Sequence, residues 1–177
     1  MATAHQTAGP YWHLIDFPAW ADVLRPDGPN AGAQGERITI EGSITDGDGA
    51  MVTDAMVEIW HADPAGRYDA QFQGFGRCAT NAEGRFRFIT LKPGPVPGRG
   101  NTLQAPHVQV AIFARGLLSH VTTRLYFAGE ALNDTDPLLN LIPAERRATL
   151  IAEAVSPGLW QLDIRLSGGA ETVFLDI

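Results

Sequence analysis

From Arg37 onward, apolar and polar residues alternate with a period of two. Arg37-Ile38-Thr39-Ile40-Glu41-Gly42-Ser43-Ile44-Thr45 sets Ile38, Ile40 and Ile44 on one side, the spacing of a half-buried strand. Asp46-Gly47-Asp48-Gly49 follows, and Asp and Gly both tolerate left-handed backbone, so a turn is predicted there. Further strands are predicted over Ala55 to Trp60, Arg85 to Ile89, His107 to Phe113 and Val121 to Phe127, with Asn81-Ala82-Glu83-Gly84 as a turn. Pro143 to Ala154 reads as the single helix, with Pro143 in its first turn and Leu150 and Ile151 as an apolar stripe. Trp160 to Leu166 alternates again, and Thr172 to Leu175 is expected to close the sheet. Short strands, frequent turns and one helix predict an all-β fold: an antiparallel β-sandwich with an N-terminal arm and one short helix.

Residues 1–35 lack this periodicity. They are rich in Gly, Pro and Ala and hold His5, Tyr11, Trp12, Trp20 and Pro26-Asp27-Gly28-Pro29. Exposed tryptophan is costly, so Trp12 and Trp20 are expected to pack, either on their own domain or on a partner. The chain thus divides into an arm, residues 1–35, and a β-sandwich domain, residues 36–177.

Composition narrows the chemistry. A chain of 177 residues that is 45% hydrophobic makes one domain and buries roughly 70% of its unfolded surface. Thirteen basic and 20 acidic residues leave a net charge of −7, which argues against nucleic acid. A small anionic substrate remains compatible, because one local arginine outweighs a global charge. Cys78 is the only cysteine, so an intrachain disulfide and a thiolate zinc cluster are excluded, and the thiol is expected to be a small buried hydrophobe. No Lys or Arg precedes Arg25 and no apolar run approaches the ~20 residues of a membrane helix; a cytoplasmic protein is expected. Asp46-Gly47-Asp48-Gly49 lacks the later ligands of a calcium loop, Gly98-Arg99-Gly100-Asn101 lacks the pattern of a phosphate loop, and no Gly-x-Ser-x-Gly elbow occurs.

One stretch points to a metal site with parts missing. Residues two apart in a strand share a face, so His107 and Gln109 project together as a His-x-His pair would. Ahead of them lie Lys92-Pro93-Gly94-Pro95-Val96-Pro97, and earlier Val57-Glu58-Ile59-Trp60-His61-Ala62-Asp63 leading into Gly66-Arg67-Tyr68. In this order the segments resemble the intradiol ring-cleavage dioxygenases. Gln6-Thr7-Ala8-Gly9-Pro10-Tyr11, Phe113-Ala114-Arg115-Gly116, Thr123-Arg124-Leu125-Tyr126-Phe127 and Glu171-Thr172-Val173-Phe174 extend the resemblance over nearly the whole chain.

The resemblance implies a β-sandwich and a site in which two tyrosines and two histidines hold non-haem Fe³⁺. Tyr68 and His107 match two of those positions, whereas the others fall at Val96 and Gln109. Val96 has no donor atom, and Gln109 offers a neutral carbonyl oxygen, a weak ligand for so hard an ion. Tyr68, Val96, His107 and Gln109 are therefore vestigial metal positions, and no metal or catalytic residue is expected in this chain alone. His61 and His120 lack a partner at ligand spacing and are expected to be structural or surface residues.

Within the family, the departure matches the iron-free α subunits of two-chain enzymes, whose homologous β subunit carries the Fe³⁺. That resemblance implies an αβ hetero-oligomer cleaving protocatechuate with O₂. It also implies that the arm packs on the partner, and that Thr7, Gly9, Pro10 and Arg124 line the partner's substrate pocket. Two alternatives stay open: a divergent homo-oligomeric dioxygenase recruiting His61 or His5, and a non-catalytic β-sandwich binding module.

Overall fold

The computed structural model describes residues 16–69 and 71–176. Eleven strands run in chain order: β1 (Arg37–Thr45), β2 (Met56–Trp60), β3 (Gly76–Ala79), β4 (Arg85–Leu91), β5 (Val96–Pro97), β6 (Leu103–Gln104), β7 (His107–Phe113), β8 (Val121–Phe127), β9 (Ile151–Ser156), β10 (Leu159–Gln161) and β11 (Ile164–Arg165). A four-residue helix, α1 (Ala144–Arg147), precedes β9. Among the described residues, no helix is long and apolar enough to cross a membrane.

β1 alternates as predicted: Ile38, Ile40 and Ile44 are buried while their neighbours face outward. It pairs antiparallel with β4 along one edge. Along its other edge it pairs parallel with β10 and then with β11. β10 continues antiparallel to β9, β9 runs parallel to β8, and β8, β7, β2 and β3 follow as antiparallel neighbours. β5 and β6 form a separate two-stranded ribbon. Side chains of β1 and β4 share one apolar core with those of β2, β7 and β8. These groups are not adjacent in the strand order, so the sheet curls and packs on itself as a sandwich does.

The all-β reading holds, but the pairing is mixed rather than purely antiparallel. The β8-to-β9 join explains one parallel pair: a parallel connection needs a dozen or more residues, and residues 128–150 supply them. That crossover carries α1 and three 3₁₀ turns over a satellite core of Ala105, Tyr126, Leu139, Ile142 and Leu150.

The helix expected from Pro143 to Ala154 stops early. Pro143 stands just before its first turn, at the N-cap position, and after a 3₁₀ turn over Ala148–Leu150 the chain straightens into β9. Ile151 pairs with Tyr126 and Ala152 with Phe127. An open sheet edge overrides the helix preference of an Ala-rich segment, because propensity is worth only tenths of a kcal/mol per residue. The strand expected over Trp160 to Leu166 is broken into β10 and β11 at Leu162 and Asp163. Thr172 to Leu175 is not a strand, although the Leu175 amide donates to the Thr122 carbonyl at 2.7 Å. β3 was missed because Gly76-Arg77-Cys78-Ala79 has almost no strand propensity. Cys78 is buried there, as expected, and burial pushes its thiol up to about 12.

The described part of the arm packs on the domain. A 3₁₀ turn (Pro18–Ala21) leads to Val23, which enters the main core and donates its amide to the Ile89 carbonyl at 2.9 Å. The Asn30 side-chain amide bonds the Val23 and Gln73 carbonyls. Trp20 packs on Phe17 and Phe75, with the Arg77 guanidinium over its ring. His5, Thr7, Gly9, Pro10, Tyr11 and Trp12 lie outside the described residues.

Candidate functional site

Tyr68 is placed by a tight loop after β2. The Asp63 carboxylate accepts from the amides of Ala65 and Arg67 and from Nε and Nη2 of Arg67. Burial would raise the Asp63 pKa, but these Arg67 and Ala65 hydrogen bonds outweigh it and hold the carboxyl below its usual range. The loop folds Tyr68 back over Trp60, with ring centroids 6.0 Å apart and planes at 16°. Burial raises the Tyr68 phenol and the positive charge of Arg124 opposes that.

Val96 arrives from a second loop, held backbone to backbone against the first. The Gly94 amide donates to the Asp63 carbonyl at 3.0 Å. Gly66 has φ +77, and a Cβ there would stand 1.8 Å from the Pro95 carbonyl oxygen. A Cβ on Gly94 would stand 2.3 Å from the Pro64 oxygen. Only glycine admits this approach. Val96 then pairs with Gln104 across the β5–β6 ribbon.

His107 and Gln109 share the β7 face opposite Val108, Val110 and Ile112. His107 is buried, and its Nδ1 lies 2.7 Å from the Ala105 carbonyl. A carbonyl only accepts, so Nδ1 carries the proton. Burial lowers the His107 pKa to about 4; the Arg124 charge adds to this, while the Ala105 carbonyl and Asp136 oppose it. Beside Gln109, on the outer face of β2, β7 and β8, opens a shallow cleft of about 230 Å³ bounded by Glu58, Trp60, Ala111 and Thr122 among others.

Arg124, on β8, stands directly across from Gln109. Its Nη1 donates to Gln104 Oε1 at 2.8 Å and to Tyr126 Oη at 3.4 Å. Its Nε is buried without a partner among the described residues. Tyr126 in turn donates to Asp136 Oδ1 at 3.3 Å. The same carboxylate accepts from the amides of Ala105, Leu138 and Leu139. Burial pushes the Tyr126 phenol up to about 12.

The fold therefore brings the elements that carry Tyr68, Val96, His107 and Gln109 together around Arg124. Sequence reasoning missed Gln104, Tyr126 and Asp136. Asp136-Pro137 is a recognisable turn and cap signal, and the carboxylate does bond the amides two and three residues on. Nothing local reports that it also holds Ala105, 31 residues earlier.

The residues present do not fit a ferric ion. Val96 has no donor, Gln109 a weak one, and a guanidinium adds a like charge. Among the described residues, no group of three or more His, Cys, Asp or Glu side chains is placed to hold a metal. His61 is no substitute ligand. Its Nδ1 donates to the Ala62 carbonyl at 2.8 Å and its Nε2 meets Thr90 Oγ1 at 2.8 Å, so both ring nitrogens are taken. His120 stacks on Phe113 at 4.9 Å.

Comparison with known proteins places this geometry in context. The family described as Dioxygenase matches residues 9–157. The chain is 39% identical to the protocatechuate 3,4-dioxygenase alpha chain of Burkholderia cepacia, over 99% of this chain and 97% of that one. The beta chain from the same organism is 37% identical over 74% of this chain and 61% of its own length. Among solved structures, the dioxygenase domain of a dioxygenase–carbohydrate-binding protein fusion from Streptomyces sp. SirexAA-E superposes with a TM-score of 0.67 at 28% identity, covering 96% of this chain and 100% of that one.

Proposed function

This chain belongs to the intradiol dioxygenase family, and we propose that it is the iron-free α subunit of a two-chain protocatechuate 3,4-dioxygenase. The family's members are non-haem iron dioxygenases. In the assembled enzyme the homologous β subunit holds the Fe³⁺, and the pair performs O₂-dependent intradiol cleavage of protocatechuate to 3-carboxy-cis,cis-muconate in the cytoplasm. The observation that carries this reading is the pattern of loss at the site. Tyr68 and His107 keep donor atoms, whereas Val96 and Gln109 have none suited to Fe³⁺, in a chain that aligns with α chains over its full length.

The chain's own contribution is to shape the substrate pocket. Thr7, Gly9 and Pro10 of the arm border the partner's metal site, where Gly-Pro presents backbone without bulk to a flat ring. Arg124 supplies positive charge for the substrate carboxylate.

The deciding experiment is reconstitution. Co-expressed with its β partner, the chain should purify as an αβ assembly with about one iron per pair and full turnover of protocatechuate. Alone it should hold no iron and cleave nothing. A lone chain that is red-brown and active would overturn the reading, and so would a β preparation whose activity is the same without it. In the reconstituted pair, Arg124→Ala should lower kcat/KM for protocatechuate about tenfold or more, the scale of one charge-assisted hydrogen bond. Turnover of uncharged catechol should change much less. Equal losses on the two substrates would remove Arg124 from the carboxylate role.

A further inference from the structure

We propose that the Arg124 guanidinium occupies the place of the metal in this chain, so that the site would reject Fe³⁺ even if its missing donors were restored. The proposal concerns this chain's own residues and stands whether or not a partner carries iron.

Register and contacts link each of the four family positions to Arg124, directly or through one or two neighbours. Gln109 is its cross-strand partner. Val96 pairs with Gln104, whose Oε1 accepts from Arg124 Nη1 at 2.8 Å. His107 pairs with Tyr126, its ring 5.7 Å from a phenol that also accepts from Nη1. Tyr68 stacks on Trp60, which pairs with Gln109 from the opposite strand. The electrostatics agree: the Arg124 charge bears on both Tyr68 and His107, the two retained family donors.

The cation is also accommodated as a built-in group. No carboxylate forms an ion pair with it among the described residues. Its charge is met through Tyr126, which relays to the buried Asp136. Gln104 fixes the fork from the β5–β6 ribbon. A resident guanidinium does part of what a metal would do structurally: it ties the β5–β6 ribbon to β8 through one positive centre.

Repulsion sets the size of the effect. Two tyrosinates would leave the ferric centre about +1 net, and a second unit charge roughly 4 Å away, at an effective dielectric of about 20, opposes binding by about three powers of ten. Movement of the long Arg side chain relieves part of that, and at least 100-fold should survive.

The test uses the full-length chain. Val96→Tyr with Gln109→His restores the donor set and keeps Arg124; a triple variant adds Arg124→Gln. Fe³⁺ supplied as its citrate complex should bind the triple variant about one per chain, with a visible tyrosinate-to-iron band, and at least 100-fold more tightly than the double variant. Equal affinities overturn the proposal, as does a folded triple variant that stays iron-free. If the circular dichroism of these variants departs from that of the natural chain, Arg124→Gln alone decides. Titrated with Co²⁺, it should bind at least tenfold more tightly than the natural chain, and an unchanged affinity overturns the proposal.

Discussion

Acidifying the protein from pH 7 to pH 5 is expected to remove about 4 kcal/mol of its stability, roughly half from each of two histidines. His61 and His107 are both buried. Burial is the largest cause that lowers each of them from 6.5 to about 4. For His61 the Ala62 carbonyl opposes the shift and His107 adds to it. The sign follows from linkage. Between about 4 and 6.5 the unfolded chain binds protons that the folded chain refuses, so stability rises with pH across that window. The contribution is fully present above 6.5, falls by about 2 kcal/mol per histidine at pH 5, and is lost as the pH drops to about 4. Asp63 and Asp163 are held below their ordinary value of 3.8, so their contributions fade only at more acid pH. Urea unfolding at pH 7 and pH 5 measures the difference. Stabilities equal to within about 0.5 kcal/mol would mean that both rings are protonated, or solvated, in the folded state, and a loss of about 2 kcal/mol that one of them is. With stability totals commonly near 5–15 kcal/mol, a loss of this size is about a quarter or more of the total.

Replacing Asp136 with alanine is expected to cost about 3–5 kcal/mol. Its two oxygens accept from four donors: the amides of Ala105, Leu138 and Leu139 and the Tyr126 hydroxyl. Asp136 is itself fully buried, so alanine strands amide donors away from water, each at a penalty of about 1–3 kcal/mol when uncompensated. Two of the amides open the turn over Leu139–Leu141, and the third begins the approach to β7. The substitution therefore unpins the β8-to-β9 crossover from the strand that carries His107. Asp136→Asn keeps one accepting oxygen and should cost about half as much. The urea midpoint, with slope unchanged, reports the loss. A cost under about 1 kcal/mol for alanine would show that water or a shifted backbone satisfies these donors, and that the crossover does not depend on them.

Sequence reading gave these groups other roles or none: His61 as structural or surface, His107 as a vestigial metal position, and Asp136 no role. His61 and His107 were legible as imidazoles on strand ends. Their burial was not, because it arises from Phe72 packing on one ring and Tyr126 on the other. Arg124 was legible through the Thr-Arg-Leu-Tyr-Phe segment as a charge near a pocket. That it stands opposite Gln109 depends on the β7–β8 register, which hairpin geometry sets across residues 114–120. The helix error has the same origin. Residues 148–154 are written in helix-favouring letters, and a vacant slot beside β8 decided against them.

Alternation with period two, turn pairs such as Asp-Gly and Asn-x-x-Gly, and the lack of any donor atom at Val96 and of a strong one at Gln109 are covalent facts of this chain. They settle the all-β class and most strand positions before any folding is considered. The parallel pairs, the curl that closes the core, and the convergence of Gln104, Arg124, Tyr126 and Asp136 come from contacts between residues tens of positions apart. Such contacts have no local code: side chains meet there because burying apolar area across the curled sheet leaves one arrangement in which the enclosed polar groups find partners.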